Sequence, residues 1–365
     1  MIALDIPHHR LYNQRIGEGK FEQPSQVVAW FGAMQAQDYT SVKWAIGLRC
    51  CSATDVIIEQ AIVSKTVVRT WLMRGTLQVV AASDVRWMLA LLAPRVIANS
   101  ARRYHQLELD DATFAHSYEI LTKRLQGGKQ LTRSEILLIL EQASISTSGQ
   151  RGYHILRRAA LEGLVCFGPF QDKQETFVLL EEWAPHDKDM KRNEALAELA
   201  KRYFRSHGPA TLQDFVWWSS LKVVDARAGL ETANTRLHQE TIDGQTYWLI
   251  PNDSVPKNPS PTAYLLPAYD EFFLGYKARD AVLDSKYDKQ AVSSGGVFRS
   301  MIVIDGQVAG IWKRSLREDS VIITPSPFTA LTKAENQALL AAADQYGAFL
   351  GLSVVLAQVR ARRNL

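Results

Sequence analysis

The sequence predicts an α+β protein in which three successive units of winged-helix plan precede a mainly β region closed by one helix. Two observations carry this reading. Helix-then-hairpin patterning recurs three times before Pro251. A proline cluster (Pro251, Pro256, Pro259, Pro261 and Pro267) then separates these units from strand-like runs around an Asp-Gly turn. A chain of 365 residues is too long for one core, and the expected units are 1–104, 105–190, 191–255 and 256–365.

In the first unit, Pro24 opens a helix whose apolar residues Val27, Trp30, Phe31 and Met34 keep the 3.6-residue period. A second helix is expected around Thr54 to Ser64. Val67 to Met73 alternates like a strand, Arg74-Gly75 turns it, Thr76 to Val80 returns, and Ser83 caps a helix running to Pro94. The second unit starts at Leu131-Thr132-Arg133-Ser134-Glu135, a helix opening. A helix from Tyr153 to Leu161 follows, and then a hairpin from Leu164–Phe167 to Thr176–Leu180. The third repeats the plan: a helix from Asn193 to Arg205, one capped by Thr211 that carries Phe215, Trp217 and Trp218, one near Asp225 to Leu230, and a hairpin around Asp243-Gly244. Beyond the prolines, Phe298–Ile304 and Gln307–Lys313 flank Asp305-Gly306, Val321–Ile323 adds a strand, Lys333 to Phe349 is a helix, and Ser353–Ala357 is a last strand. These describe a small sheet or barrel.

Composition narrows the function classes. An apolar fraction of 47% and a charged fraction of 22% fit a soluble globular protein. No run approaches the roughly 18 apolar residues of a membrane span. Cys50, Cys51 and Cys166 form no CxxC, and the histidines have no ligand spacing beyond the adjacent His8 and His9, so neither a metal site nor a cofactor is expected. That cysteine usage points to the cytoplasm, and a monomer is expected. The net charge of +4 is concentrated, since residues 1–104 carry 12 Lys/Arg against 7 Asp/Glu. A local basic surface suits a polyanion. Spacings of the P-loop, GxGxxG, HExxH and GxSxG kinds are absent.

Gln35-Ala36-Gln37 is the candidate catalytic centre. Two carboxamides can hold a water molecule through donor and acceptor bonds, but a neutral pair is a poor base and suits only a bond primed to break. Residues i and i+2 share a face on an extended segment and not on a helix, so a common site requires the helix to end near Met34 with Ala36 turned away. Arg69, Trp71 and Met73 share one strand face, and Arg with Trp can meet a phosphate and stack on a base or sugar. Arg74 and Thr76 complete this hairpin segment. Arg151, His154, Arg157 and Arg158 lie on or just before the second unit's recognition helix, where basic side chains contact phosphates. Asp270-Glu271 is an acidic pair expected to be matched by Arg299, Lys313 or Arg314.

These segments resemble the winged-helix DNA glycosylases of the HTH_42 superfamily, in the AlkZ-like branch. The matching stretches are Gly32–Tyr39, Val68–Thr76, Gly149–Gly168, His207–Ser219, Leu266–Tyr276 and Trp312-Lys313-Arg314, in the expected order along nearly the whole chain. The resemblance implies three tandem winged helices and a C-terminal β-barrel around a DNA-sized channel. It implies hydrolysis of the N-glycosidic bond of N-alkylated purines in double-stranded DNA, in some members at interstrand crosslinks. Gln35 and Gln37 match the family's Gln-x-Gln motif. Two departures stand out: Gln78 replaces the His that many members carry, and Ser300 follows Arg299 where Pro is common.

Chemistry and resemblance converge on one expectation. Alkylation makes the leaving purine cationic, so Gln37 and Gln35 need only place water below C1′ and turn their carbonyl dipoles toward the developing cation. With no lysine nucleophile assigned, base removal without strand cleavage is expected. The alternative is a non-catalytic winged-helix DNA-binding protein or regulator, whose marks would be a dimer interface and recognition helices that read bases.

Overall fold

In the computed structural model, residues 4–184, 190–233, 237–251 and 260–357 are described. Helices Ile6–Asn13 and Pro24–Phe31 come first. The second buries Val27, Val28 and Phe31. Gly32, at φ 84°, ends it, a conformation that costs little only without a Cβ. The chain then enters strand β1, Ala33–Gln35. The apolar period suggested a helix to Met34; the glycine stops it at Phe31, and Met34 continues the buried pattern on a strand instead.

Helix Tyr39–Leu48 follows, capped by the Asp38 side chain on Ser41 N–H, and then Asp55–Val63, capped by Thr54. Strands β2 (Val67–Trp71) and β3 (Leu77–Ala81) form the first hairpin. The next helix, Val85–Gln106, does not stop at Pro94. Pro94 faces solvent, while Leu91, Leu92, Ala93 and Val96 around it are buried and hold both halves on the core.

Helix Asp111–Leu125 leads to β4 (Leu131–Thr132) and helix Arg133–Gln142, opened by a reciprocal Thr132–Glu135 capping box. After helix Arg151–Leu161 come β5 (Val165–Phe167) and β6 (Thr176–Leu179). The two hairpins are not separate flaps. They join in one six-stranded sheet of order β1-β3-β2-β5-β6-β4, and Arg69 opposite Phe167 is the residue pair at the join.

The third unit consists of helices Arg192–His207, Leu212–Ser219 and Val223–Ala233 with the two-stranded hairpin β7 (His238–Ile242) and β8 (Gln245–Leu249). Asp243 and Gly244 turn it with positive φ at both residues. Pro256 and Pro259 of the proline cluster lie outside the described residues, while Pro261 and Pro267 bracket β9 (Ala263–Leu266).

The C-terminal region is a five-stranded sheet, completed by β10 (Met301–Ile304), β11 (Gln307–Leu316), β12 (Ser320–Pro327) and β13 (Ser353–Leu356). Its order is β13-β12-β11-β10-β9, so among the described residues it is an open half-barrel and not a closed barrel. Helix Lys333–Leu350 packs along it, with Tyr346 and Phe349 against Trp44 of the first unit. Trp44 Nε1–H donates to Leu265 O of β9 at 2.6 Å, tying the first unit to this sheet.

Candidate active site

Among the described residues β1 is an edge strand paired only with β3, and its register sets Gln35 opposite Gln78 and Gln78 opposite Thr70. Gln35 is therefore fixed at both backbone and side chain. Its N–H donates to Glu271 Oε1 at 2.9 Å. Its Oε1 accepts from Gln78 Nε2 at 3.2 Å and from Ala36 N–H at 3.2 Å. Ala36 is fully buried and its N–H also donates to Leu77 O at 2.8 Å, which carries the pairing one residue past β1 before the chain bends at Gln37 and Asp38. Gln37 beyond it is exposed, and among the described residues its amide has no partner.

Behind this segment lies a buried polar network that the sequence did not disclose. Glu271, 1% exposed, also accepts from Trp218 Nε1–H at 3.0 Å and lies 3.4 Å from His207 Nε2. Burial alone would raise its carboxyl. His207, the Gln35 N–H and Arg74 outweigh that and hold it below the usual carboxylate range. Burial lowers His207, which favours its neutral ring beside the carboxylate. Asp270 forms a two-pronged pair with Arg49 at 2.8 and 2.9 Å. The acidic pair is thus matched by Arg49 and by the His207–Trp218–Gln35 group, which corrects the expectation of Arg299, Lys313 or Arg314. The signal available in the sequence was the setting: two acids inside the apolar run Leu266–Tyr276 require buried partners.

The first hairpin's candidates support the motif from within. Arg69, 3% exposed, donates to Ala36 O at 3.3 Å, pairs with Glu175 at 2.7 Å, and lies over the rings of Phe167 and Tyr39. Trp71 does share its face, but that face is covered. Trp71 is 3% exposed and packs on Phe167, Phe177 and Tyr153, so the expected open stacking surface is corrected to a core cluster. Arg74, at φ 56°, donates to Trp218 O, and burial lowers its pKa. The Thr76 hydroxyl donates to Met73 O at 3.0 Å and accepts from Gln78 Nε2 at 2.9 Å.

On helix Arg151–Leu161 the expected free basic face is largely engaged within the chain. Arg151 donates to Ser146 O, Leu107 O and Glu108 O. His154 is buried between Tyr104 and Tyr153, and burial followed by Arg157 and Arg103 lowers its pKa, which leaves it neutral. Arg157 donates to Gly75 O and Ser100 Oγ. Arg158 pairs with Asp111 and Glu162 and covers Phe114. Contact with phosphate by Arg151, Arg157 or Arg158, all partly exposed, requires exchanging these partners.

No cluster of three or more His, Cys, Asp or Glu side chains that could hold a metal occurs among the described residues, and no described helix is long and apolar enough to cross a membrane. What the arrangement offers chemically is one carboxamide pinned by Gln78, on a residue whose N–H is held by a buried carboxylate, and two residues on an exposed carboxamide without a partner among the described residues.

Comparison with known proteins gives this geometry a context. The AlkZ-like DNA glycosylase family model matches residues 28–349, which include the Gln35-Ala36-Gln37 motif and the backing residues Arg49, Gln78, His207, Trp218, Asp270 and Glu271. The interstrand DNA cross-link repair glycosylase of Streptomyces sahachiroi is 25% identical over 322 residues, covering 84% of this chain and 85% of that protein. The structure of the Streptomyces sahachiroi DNA glycosylase AlkZ superposes with a TM-score of 0.77 over 97% of this chain and 98% of that one, at 21% identity, a likeness of fold. With a family match that spans most of its length, the chain belongs to the AlkZ-like DNA glycosylase family.

Proposed function

We propose that the chain is a monofunctional DNA glycosylase that removes N7- or N3-alkylated purines from double-stranded DNA, with Gln37 orienting the attacking water and Gln35 as its partner. The observation that carries this is the contrast between the two amides: Gln35 is held by Glu271 and Gln78, while Gln37, in the bend two residues on, is exposed and unpartnered among the described residues. A rigid anchor beside a free amide suits placing one water molecule.

The roles of the two amides are not equal. Gln35 Oε1 already accepts two hydrogen bonds, so what Gln35 has left to offer water or substrate is its NH2. The acceptor that aligns water, and the carbonyl dipole turned toward the sugar, belong to Gln37. The C1′–N bond breaks first, and the leaving purine takes the bonding electrons and loses its positive charge. Water then forms the C1′–O bond and its surplus proton passes to solvent. The relative named for interstrand cross-link repair supports extending the substrate to crosslinked purines. A crosslinked base remains tied to the other strand and cannot be fully extruded. The exposure of Gln37 fits an open site.

The test is release of base from duplex DNA containing N7-methylguanine under single-turnover conditions. Wild-type protein is expected to release the base and leave an unbroken abasic strand, and Gln37→Ala to lower the rate by 10²-fold or more, in the range of general catalytic groups. Undiminished release by folded Gln37→Ala would exclude this residue as the water-orienting group.

A further inference from the structure

We infer that Gln78 is a positioning residue for the glycosylase site: it sets the orientation of the Gln35 amide, with the carbonyl toward Gln78 and the NH2 left free. The inference rests on the proposed hydrolysis and adds a residue to it.

Its basis is a chain of hydrogen bonds that ends on a backbone carbonyl, an atom that can only accept. The Thr76 hydroxyl gives its one proton to Met73 O at 3.0 Å. At its remaining contact, 2.9 Å away, Thr76 Oγ1 is therefore an acceptor, and the atom of Gln78 facing it must be the NH2. The second proton of that NH2 points at Gln35, 3.2 Å away, so the atom of Gln35 facing it must be the carbonyl oxygen. Gln35 Nε2 is left without a partner among the described residues and is free to donate to water or substrate. The register supports the same assignment, since Gln35 and Gln78 are directly opposed on β1 and β3.

A packing role does not account for a glutamine here. Gln78 is fully buried, yet its Oε1 has no hydrogen-bond partner among the described residues. Its cross-strand neighbour Thr70, equally buried, has an unpartnered Oγ1. An apolar side chain in this row would avoid a buried carbonyl without a donor, which costs stability. The side chain is explained by what its NH2 does for Gln35.

The experiment compares Gln78→Leu, Gln78→Glu and Gln78→His in the single-turnover assay on N7-methylguanine DNA. Leu offers no donor, and an ionised Glu offers none to either Thr76 or Gln35, whereas His carries a ring N–H. Gln78→Leu and Gln78→Glu are expected to lower the chemical rate ten-fold or more while the DNA dissociation constant stays within two-fold, and Gln78→His to restore at least a third of the rate. Wild-type rates in folded Gln78→Leu and Gln78→Glu, or parallel losses of rate and DNA affinity in all three variants, would overturn the assignment. A readout independent of activity is the side-chain NH2 signal of Gln35 in ¹⁵N-glutamine-labelled protein. It is expected to shift in Gln78→Leu and return toward its wild-type position in Gln78→His; an unchanged signal in Gln78→Leu counts against the contact. Absence of base release by the wild type refutes the glycosylase reading itself, whereas release that is indifferent to Gln78 refutes only this inference.

Discussion

Replacing Glu271 by Gln keeps the shape of the buried side chain and changes only its charge and one acceptor. In the native protein, Oε1 accepts from Gln35 N–H at 2.9 Å, and Oε2 accepts from Trp218 Nε1–H at 3.0 Å with His207 Nε2 at 3.4 Å. A carboxamide can serve only one of these sides with its oxygen. If it faces Gln35, its NH2 meets the indole N–H head-on, and Trp218 is left with a buried donor. Losing a hydrogen bond to a charged group costs about 1.5–3 kcal/mol, and the orphaned donor about 1–3 kcal/mol. Part of this is returned because no charge is buried, so a net loss of about 2–4 kcal/mol is expected. Urea unfolding at pH 7, followed by tryptophan fluorescence, reads the change as a shift in midpoint. The pH dependence supplies a sign. The carboxyl titrates at 4.5 when unfolded and below that when folded, so its contribution is complete above 4.5 and lost as pH falls through the lowered folded value. The stability gap between wild type and Glu271→Gln should therefore close in acid. A midpoint equal to wild type at pH 7, or a gap that widens in acid, would refute the argument that a charged Glu271 holds β1.

Three further outcomes follow from the same geometry. Asp270→Asn leaves the wholly buried Arg49 guanidinium incompletely paired, and urea unfolding should show a loss of about 3–5 kcal/mol. Trp71→Ala empties the aromatic cluster between the two hairpins and should cost about 3–5 kcal/mol, while DNA affinity measured on the folded protein stays unchanged. Arg158→Gln should leave the slope of log affinity against log salt unaltered, because its guanidinium is engaged by Asp111 and Glu162; a slope smaller by about 0.9 would instead show a phosphate contact.

What could be read from the sequence was what is decided locally. The helix opening at Leu131–Glu135 and the Asp243-Gly244 and Asp305-Gly306 turns are set by a few neighbouring residues, and all occur as expected. Helix Tyr39–Leu48 went unread because Ser41 to Leu48 are buried all round and show no amphipathic period. Pro94 suggested a helix end, but burial on both sides of it overrides the local penalty. The end of the helix before Gln35 turned on Gly32 alone, against an apolar pattern that continues through Met34. The site's backing was beyond the reach of sequence for a different reason: Gln35 meets Glu271 across 236 positions, and Arg49 meets Asp270 across 221, so no local pattern encodes either pair.

The fusion of the two hairpins into one sheet also bears on how the chain can be cut. Between β2 and β5 the seam is a single opposed pair, Arg69 with Phe167, and Arg69 is also the side chain that holds Ala36 O and reaches Glu175. A fragment ending at residue 104 would keep the Gln35-Ala36-Gln37 motif but expose one flank of β2 as an unpaired, apolar strand edge. Such an edge is a template for intermolecular pairing, so the isolated first unit should be prone to aggregate.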